Sequence, residues 1–248
     1  MREETKKSKR SFRKWWLIPV AIVLIFAVAF FSYVAVYYKA DDTALAAMIS
    51  DDAVRVIESD YGYLFDGPSD SDALIFYPGG KVDERAYAPL LRSLAAAGVD
   101  VCLVKMPFRL AVFGVNGADK VLGAHSYARY YLGGHSLGGA MAAQYASQSA
   151  ERLSGLVLLA AYPTKELPAA LPVLSIVGSE DGVVNGEKLQ AGRHLVQGEY
   201  REQVIQGGNH AYFGSYGAQK GDGSPAITAV EQRARTVEII MENLSKGE

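Results

Sequence analysis

The motif Gly134-x-Ser136-x-Gly138 has the residue types and spacing of a serine nucleophile carried on a tight turn. A β-type run at residues 129–132 precedes the motif, and a helical pattern at residues 137–152 follows it. Glycines on both sides of the serine let a strand and a helix approach each other closely. The helix N-terminus also directs backbone N–H groups at a developing oxyanion. The context predicts that Ser136 is a nucleophile, the alternative being an ordinary glycine-rich turn.

The general base is found by elimination among four histidines. His125 precedes the serine in the chain, and His135 lies inside the motif with its ring expected to point away from the nucleophile. His194 falls within a helical pattern. His210 follows a β-type run, residues 203–206, in a Gly-Gly-Asn-His loop. Its position after a strand, downstream of the serine, predicts that His210 takes the proton of the nucleophile.

The acidic partner is expected between the serine and His210, after another strand. The segment VGSEDGVV supplies two adjacent carboxylates, Glu180 and Asp181. Asp181 is favoured because it stands three residues past Gly178, on the turn that leaves the strand, and Glu180 remains the alternative. A carboxylate there orients the imidazole and stabilises its charged form. The chain order serine, acid, histidine differs from the orders of the chymotrypsin and subtilisin arrangements.

A second oxyanion donor is expected in the segment Tyr77-Pro78-Gly79-Gly80-Lys81, which follows the first long strand. The N–H of Gly80 is the first candidate and that of Lys81 the second, each acting with the N–H of Leu137. The alternative is a simple glycine turn. The segment lacks the spacing of a phosphate-binding Walker motif.

The rest of the chain alternates β-rich and helical patterns, which is typical of a mostly parallel sheet covered by helices on both faces. We predict one α/β domain at residues 53–248 that begins with a hairpin. The predicted strands are residues 54–57, 61–65, 73–77, 99–104, 129–132, 156–160, 173–177 and 203–206. The predicted helices are residues 87–97, 118–126, 137–152 and 186–196, and a last helix that begins at Ser224-Pro225. Residues 161–172 are too few for a large cap domain.

Four segments together carry a family resemblance: YPGGKVDERAYAPLLRSLAAAG, GGHSLGGAMAAQYA, VGSEDGVV and GGNHAYFGSYG. They resemble the alpha/beta hydrolase fold-5 group, which is loosely similar to the dienelactone hydrolases. The resemblance implies an α/β-hydrolase fold and hydrolysis by a Ser/Asp/His triad without a metal or organic cofactor. Dienelactone hydrolases typically use a cysteine nucleophile, so Ser136 departs from them and their lactone substrates are not carried over.

The expected reaction is two-step acyl transfer on a small carboxylic ester. Segments 107–117 and 212–216 are the expected pocket walls, and they bring four aromatic side chains that bind substrate or belong to the core: Phe108, Phe113, Tyr212 and Phe213. The alternatives are an acyltransferase or an amidase or peptidase on the same fold, and an inactive hydrolase-fold binding module.

A run of 24 uncharged residues, Trp15 to Tyr38, is long enough to cross a bilayer as a helix. Residues 1–14 hold seven Lys and Arg against two Glu, so this tail is expected to stay cytoplasmic and the domain to lie outside the cell. Aromatic residues flank the run at both interfaces (Trp15, Trp16, Tyr37 and Tyr38). We predict a signal-anchor helix at residues 15–38 and a short stem at residues 39–52.

A cleaved signal peptide is the competing interpretation of this segment. Its apolar region is normally 7–15 residues, shorter than the run observed here. One Ala-x-Ala motif, Ala27–Ala29, lies inside the run, and a second, Ala44–Ala46, follows it within reach of a peptidase.

Residues 40–248 carry 17 Lys and Arg against 25 Asp and Glu, whereas the net charge of the whole chain is only −2. This acidic balance argues against a nucleic-acid partner, whose phosphates require a basic face. Cys102 is the only cysteine, so no intrachain disulfide forms, and its apolar surroundings indicate a small buried side chain.

Overall fold

The computed structural model describes residues 17–68 and 71–245, and the chain divides into two compact units, Met1–Val36 and Tyr37–Glu248. The described part of the first unit is one helix, α1 (Leu17–Ala35), which is long and apolar enough to cross a membrane. Nearly all its side chains are exposed, unlike those of a core helix. The basic tail and the predicted interfacial residues Trp15 and Trp16 lie outside the described residues.

The second unit is built on an eight-stranded sheet with the strand order β1-β2-β4-β3-β5-β6-β7-β8. β1 pairs antiparallel with β2 and β2 with β4, and all the other neighbours are parallel. The strands are β1 (Arg55–Ser59), β2 (Gly62–Asp66), β3 (Asp72–Tyr77), β4 (Asp100–Val104), β5 (Arg129–His135), β6 (Gly155–Leu159), β7 (Val173–Gly178) and β8 (Tyr200–Ile205).

Helices cover both faces of this sheet. They are α2 (Asp42–Ala46), α3 (Ala88–Ala96), α4 (Ala118–Ala124), α5 (Leu137–Ser149), α6 (Gly186–Arg193) and α7 (Ala229–Ser245). Leu90 and Leu94 of α3 share one core cluster with Ile240 of α7, whereas Val121 of α4 and Ala142 of α5 belong to a second cluster. Because β3, β4, β6 and β7 are buried along their whole lengths, each face needs a helical layer.

The observed architecture confirms the predicted α/β-hydrolase fold. Only residues 160–172 separate β6 from β7, so no large cap is inserted at that point. The parallel strands all end at one edge of the sheet, where β5 leads into the predicted nucleophile and β7 into the predicted acid. Loops at this edge are where open α/β sheets place their sites.

The predicted start of the last helix was wrong. α7 begins at Ala229 rather than at Ser224-Pro225. The Thr228 hydroxyl accepts a hydrogen bond from the Glu231 N–H, and the Glu231 carboxylate accepts one from the Thr228 N–H. This reciprocal capping box satisfies donors that a helix start otherwise leaves unpaired, and it outweighs the first-turn preference of proline.

Residues 39–52, the predicted stem, include α2 and lie within the second compact unit. Tyr38 forms a β-bridge with Val82, and the Asp41 N–H donates to the Ser215 carbonyl at 3.0 Å. The Asp41 side chain caps α2, which packs against α3. The chain therefore joins the folded unit at once after α1, without a flexible spacer.

Candidate active site

Ser136 stands at the turn between β5 and α5 with φ 52° and ψ −121°. A non-glycine residue in this region is strained, and such strain is typical of functional sites. The Ser136 N–H donates to the Leu159 carbonyl at 2.9 Å, which ties the turn to the neighbouring strand β6. Ser136 is half-buried, so the residue remains partly exposed to solvent.

The glycines around Ser136 are required by close backbone contacts. A Cβ atom on Gly138 would lie 2.2 Å from the Tyr77 carbonyl oxygen and 2.3 Å from that of Pro78. A Cβ atom on Gly134 would lie 2.7 Å from the backbone of Gly138. Since backbone atoms cannot move aside as a flexible side chain does, the sharp strand-to-helix turn forms only with glycine at these positions.

His210 and Asp181 form a buried hydrogen-bonded pair. Nδ1 of His210 lies 2.8 Å from Oδ2 of Asp181, and both side chains are only 1% exposed. The other carboxylate oxygen of Asp181 accepts the N–H groups of Val183 and Val184, both at 2.8 Å. The turn that follows β7 therefore fixes the Asp181 carboxylate. That carboxylate in turn orients the imidazole through its Nδ1 edge.

The opposite ring nitrogen of His210 is available for chemistry. Nε2 of His210 is buried and has no hydrogen-bond partner among the described residues. The His210 ring packs against that of His135, with 4.4 Å between the ring centroids, and His135 directly precedes Ser136. The structure thus brings the predicted base next to the residue that leads into the nucleophile. Glu180, the alternative acid, is exposed and accepts a hydrogen bond from the Ser179 hydroxyl.

Asp222 is a site residue that sequence reasoning missed. Its carboxylate accepts the backbone N–H groups of His210 at 3.1 Å and of Ala211 at 2.8 Å. It also accepts those of Gly182 at 3.2 Å and Gly223 at 2.9 Å. Asp222 therefore joins the loop that carries the base to the turn that carries the acid. Nothing in its local sequence indicates this role.

Gln232 on α7 fixes the loop from the other side. Its side-chain oxygen accepts the Asn209 N–H at 2.9 Å, and its amide nitrogen donates to the Asn209 carbonyl at 2.7 Å. The Asn209 side chain in turn accepts the Tyr212 N–H and donates to the Gly223 carbonyl. The Gly-Gly-Asn-His loop is thus hydrogen-bonded on both sides of His210.

A buried tyrosine connects His135 to the predicted oxyanion segment. The Tyr87 hydroxyl accepts the Gly79 N–H at 3.0 Å and lies 2.8 Å from Nδ1 of His135. The Tyr87 hydroxyl therefore links the Gly79 backbone to the His135 ring through two hydrogen bonds. Burial, with the neighbouring His210 acting in the same direction, holds the pKa of His135 well below its usual value. His135 is therefore neutral at pH 7.

The candidate oxyanion donors differ in whether their N–H groups already have a hydrogen-bond acceptor. The Lys81 N–H donates to the Arg109 carbonyl at 2.8 Å, which leaves Gly80 as the better candidate of the two. The N–H groups of Gly80 and Leu137 have no acceptor among the described residues. A Cβ atom on Gly80 would touch the Leu137 side chain at 2.8 Å, so these two residues are in contact. Two free N–H groups beside a serine can bind a tetrahedral oxyanion.

Residues 73–234 match the model of the alpha/beta hydrolase family. This chain belongs to that family. Comparison with curated protein sequences finds no match. The match runs from β3 into α7 and includes the segment of every predicted catalytic residue.

Solved structures similar to this hydrolase share its fold at low sequence identity. Est1E from Butyrivibrio proteoclasticus is 15% identical with a TM-score of 0.53, covering 78% of this chain and 100% of its own. The dienelactone hydrolase from Anabaena variabilis is 15% identical with a TM-score of 0.55, covering 78% and 97%. A protein described as a membrane phospholipase A and bacterial virulence factor is 13% identical with a TM-score of 0.59, covering 94% and 99%.

The four aromatic residues expected to bind substrate occupy different environments in the hydrolase. Phe108 and Phe113 are exposed and form an edge-to-face pair with ring centroids 5.7 Å apart. Tyr212 is half-buried. Phe213 is 0% exposed and packs in the core with its ring 5.5 Å from His135, which is the second of the two environments expected for these aromatic residues.

Cys102 is buried in β4, and its Sγ accepts a hydrogen bond from the Tyr61 hydroxyl. Burial raises the pKa of its thiol to about 12, so the thiol stays protonated and unreactive. Within residues 17–68 and 71–245, no group of three or more His, Cys, Asp or Glu side chains is placed to hold a metal ion.

Proposed function

We propose that this hydrolase cleaves carboxylic esters through an acyl-enzyme on Ser136, with His210 as the base and Asp181 as its acidic partner. The supporting observation is the buried Asp181–His210 hydrogen bond, which directs the unpartnered Nε2 of His210 away from the carboxylate. A catalytic histidine needs this arrangement, with one nitrogen oriented by an acid and the other free to move a proton.

In the proposed first step, Nε2 of His210 accepts the Ser136 hydroxyl proton while Oγ attacks the ester carbonyl carbon. The carbonyl oxygen gains negative charge and is held by the N–H groups of Gly80 and Leu137. His210 then gives its proton to the leaving alcohol as the acyl-enzyme forms. A water molecule, deprotonated by the same imidazole, releases the acid and restores Ser136.

We further propose that α1 anchors the hydrolase in the membrane, with its N-terminus cytoplasmic and the catalytic unit outside the cell. Support comes from the apolar length of α1 and from the basic residues that precede it. Cleavage after Ala44–Ala46 would remove Tyr38 and Asp41, which bond to the catalytic unit, so retention of the anchor agrees with the fold. One structural neighbour with 94% coverage is itself described as a membrane protein.

The proposal is tested by fluorophosphonate labelling of the full-length protein in membranes. The wild type should be labelled, and Ser136→Ala should lose the label together with ester turnover. Asp181→Asn should lower kcat by about 10⁴, because the imidazole would lose its correct tautomer. The matched control is Glu180→Gln at the exposed neighbouring carboxylate, which should turn over esters as the wild type does.

Equal labelling of the wild type and Ser136→Ala would refute the nucleophile, and full turnover in Asp181→Asn would refute the acid. Product analysis in the presence of an added alcohol separates hydrolysis from acyl transfer, since a transferase would form the new ester in preference to the free acid. Protease added to intact cells should digest the catalytic unit. Its protection would reverse the proposed orientation.

A further inference from the structure

The chain enters the catalytic unit beside the candidate oxyanion segment. The Tyr38 N–H donates to the Lys81 carbonyl, and the Asp83 N–H donates to the Tyr38 carbonyl, both at 2.8 Å. Lys81 directly follows Gly80, one of the two candidate oxyanion donors. The first residues of the unit are therefore hydrogen-bonded to the same segment that borders the reaction centre.

The loop after β4 lies at this entry point as well. The guanidinium carbon of Arg109 is 3.6 Å from the ring centroid of Tyr37, the first residue of the unit. Phe108 and Arg109 both adopt left-handed backbone conformations, with φ of 54° and 57°. Two consecutive strained residues persist only where the surroundings hold them, and here the Lys81 N–H bonds to the Arg109 carbonyl.

Three apolar side chains of this loop project into solvent. Phe108, Val112 and Phe113 are 46%, 48% and 53% exposed, and we call them the apolar rim. The unit contains five phenylalanines, and the other three are buried in the core. Single exposed apolar residues are common, but two adjacent exposed phenylalanines on a strained loop mark an interaction surface.

Basic side chains border the apolar rim. Val112 and Phe113 line a groove of about 440 Å³ together with Lys105 and Lys120, and Arg109 lies within the same loop. Lys105 is exposed and lies 3.9 Å from the Glu84 carboxylate. Lys105, Lys120 and Arg109 therefore place three cationic residues beside exposed aromatic ones on a unit that is acidic as a whole. Aromatic and apolar side chains with basic neighbours are the composition that binds the headgroup region of anionic membranes.

We propose that the apolar rim inserts into the surface of an anionic lipid bilayer and brings the candidate active site to esters held in that membrane. The inference rests on the proposed anchoring by α1. Only Val36 separates the end of α1 from Tyr37. Because an extended residue spans at most about 3.5 Å, Tyr37 must stay within about 7 Å of the end of a spanning helix, whatever the angle between helix and catalytic unit. The Arg109 loop in contact with Tyr37 is therefore held at the bilayer surface.

We assign a bilayer rather than a soluble protein as the partner of the apolar rim. A membrane-spanning α1 would keep Tyr37, and the loop in contact with it, within about 7 Å of the bilayer. The consequence for substrate choice is direct. A candidate site next to the rim would receive the ester bond of a lipid that lies in the bilayer interface without removing the acyl chain into water. Esters in vesicles should therefore be preferred to water-soluble esters of similar reactivity.

The test uses the full-length protein reconstituted into vesicles of phosphatidylcholine with phosphatidylglycerol. An environment-sensitive nitrobenzoxadiazole label is attached at Val112→Cys, and a matched label at Val230→Cys, an equally apolar exposed position at the start of α7. Cys102 is buried and should not react. The label at position 112 should shift to shorter wavelength and be quenched by spin-labelled lipid, whereas the label at position 230 should report water.

The outcomes separate this inference from the proposed function. Protein that floats with the vesicles but shows the same aqueous spectrum at both positions would overturn the docking while leaving the anchor intact. Protein that does not float would overturn both. The label readout needs no turnover, so it is independent of the proposed triad. In a second arm, Val112→Asp should lower turnover of a vesicle-borne ester by roughly tenfold while Val230→Asp does not. Equal turnover in these two variants would also overturn the inference.

Discussion

The serine turn and the histidine loop form two halves of one candidate site, and they are held in different ways. The turn around Ser136 is fixed by backbone packing, with strand and helix so close that Gly134 and Gly138 admit no side chain. The loop around His210 is fixed by side-chain hydrogen bonds from Asp222 and Gln232, which come from later parts of the chain. Steric contacts fail abruptly, whereas a hydrogen-bonded network fails by degrees. The two halves should therefore respond differently to substitution.

The largest effect is expected at the serine turn. Gly138→Ala would place a Cβ atom 2.2 Å from the Tyr77 carbonyl oxygen, and no side chain can move to relieve that contact. We expect a loss of about 3 kcal/mol in unfolding free energy and loss of fluorophosphonate labelling. The measurements are denaturant unfolding and labelling of the same preparation. The matched control is Gly123→Ala in α4, where nothing lies within 4 Å and alanine should be tolerated or stabilising. Normal labelling of Gly138→Ala would show that the turn is not rigid.

A graded effect is expected in the histidine loop. Asp222→Asn keeps one side-chain oxygen but replaces the other with an N–H₂ group, which cannot accept both sets of backbone donors. We expect kcat to fall by about tenfold to a hundredfold, with about 1–3 kcal/mol lost in stability. The control is Asp51→Asn, since Asp51 also accepts two backbone N–H groups but in an exposed turn away from the site. If kcat were unchanged in Asp222→Asn, the loop would be positioned by Gln232 and packing alone.

The difference between a local turn and a loop held by distant side chains also explains which parts of the candidate site the sequence could predict. The serine turn is a local motif, so Ser136, the flanking glycines and the strand-turn-helix context were all visible in one segment. Asp181 and His210 were predicted because both follow strands in a fixed chain order, and their side chains are hydrogen-bonded in the structure. The alternation of β-rich and helical segments along the chain predicted the parallel sheet. The burial of β3 and β7 follows from their continuous apolar composition.

Contacts between distant segments were not predictable in this way. Asp222 bonds to residues 11, 12 and 40 positions away, and no local pattern marks such an acceptor. Lys81 was a plausible oxyanion donor until the structure showed its N–H bonded to Arg109. Phe213 was grouped with its exposed relatives because aromatic composition does not distinguish a pocket wall from the core. The contacts at the start of the second unit were hidden for the same reason, since Val82 and Ser215, the partners of Tyr38 and Asp41, lie far along the chain.

A smaller effect should arise where the two halves meet. Tyr87→Phe removes the hydroxyl that accepts from Gly79 and bonds to His135, and it leaves two buried polar groups without partners. We expect about 2 kcal/mol of destabilisation and a fall in kcat, because Gly79 precedes Gly80, the candidate oxyanion donor. Tyr145→Phe is the control, since its hydroxyl bonds to the exposed carboxylate of Asp119. If both variants lost equal stability with kcat unchanged, the tyrosine would serve packing alone.

The smallest effect is a dependence of stability on pH that arises from His135. Its pKa in the folded protein lies well below the value of about 6.5 that it takes when unfolded, because burial disfavours the charged ring. The unfolded chain therefore binds the extra proton as the pH falls below 6.5. The contribution of His135 to stability is complete above pH 6.5 and is lost at up to about 1.4 kcal/mol per pH unit below it.

Urea unfolding at pH 7.5, 6.5 and 5.5 measures this slope above the range in which exposed carboxylates titrate. His135→Gln should flatten the slope, whereas His194→Gln, at an exposed position, should leave it unchanged. An unchanged slope in His135→Gln would mean that the ring takes up its proton as readily in the folded protein as in the unfolded chain, and would contradict the effect of burial on its pKa.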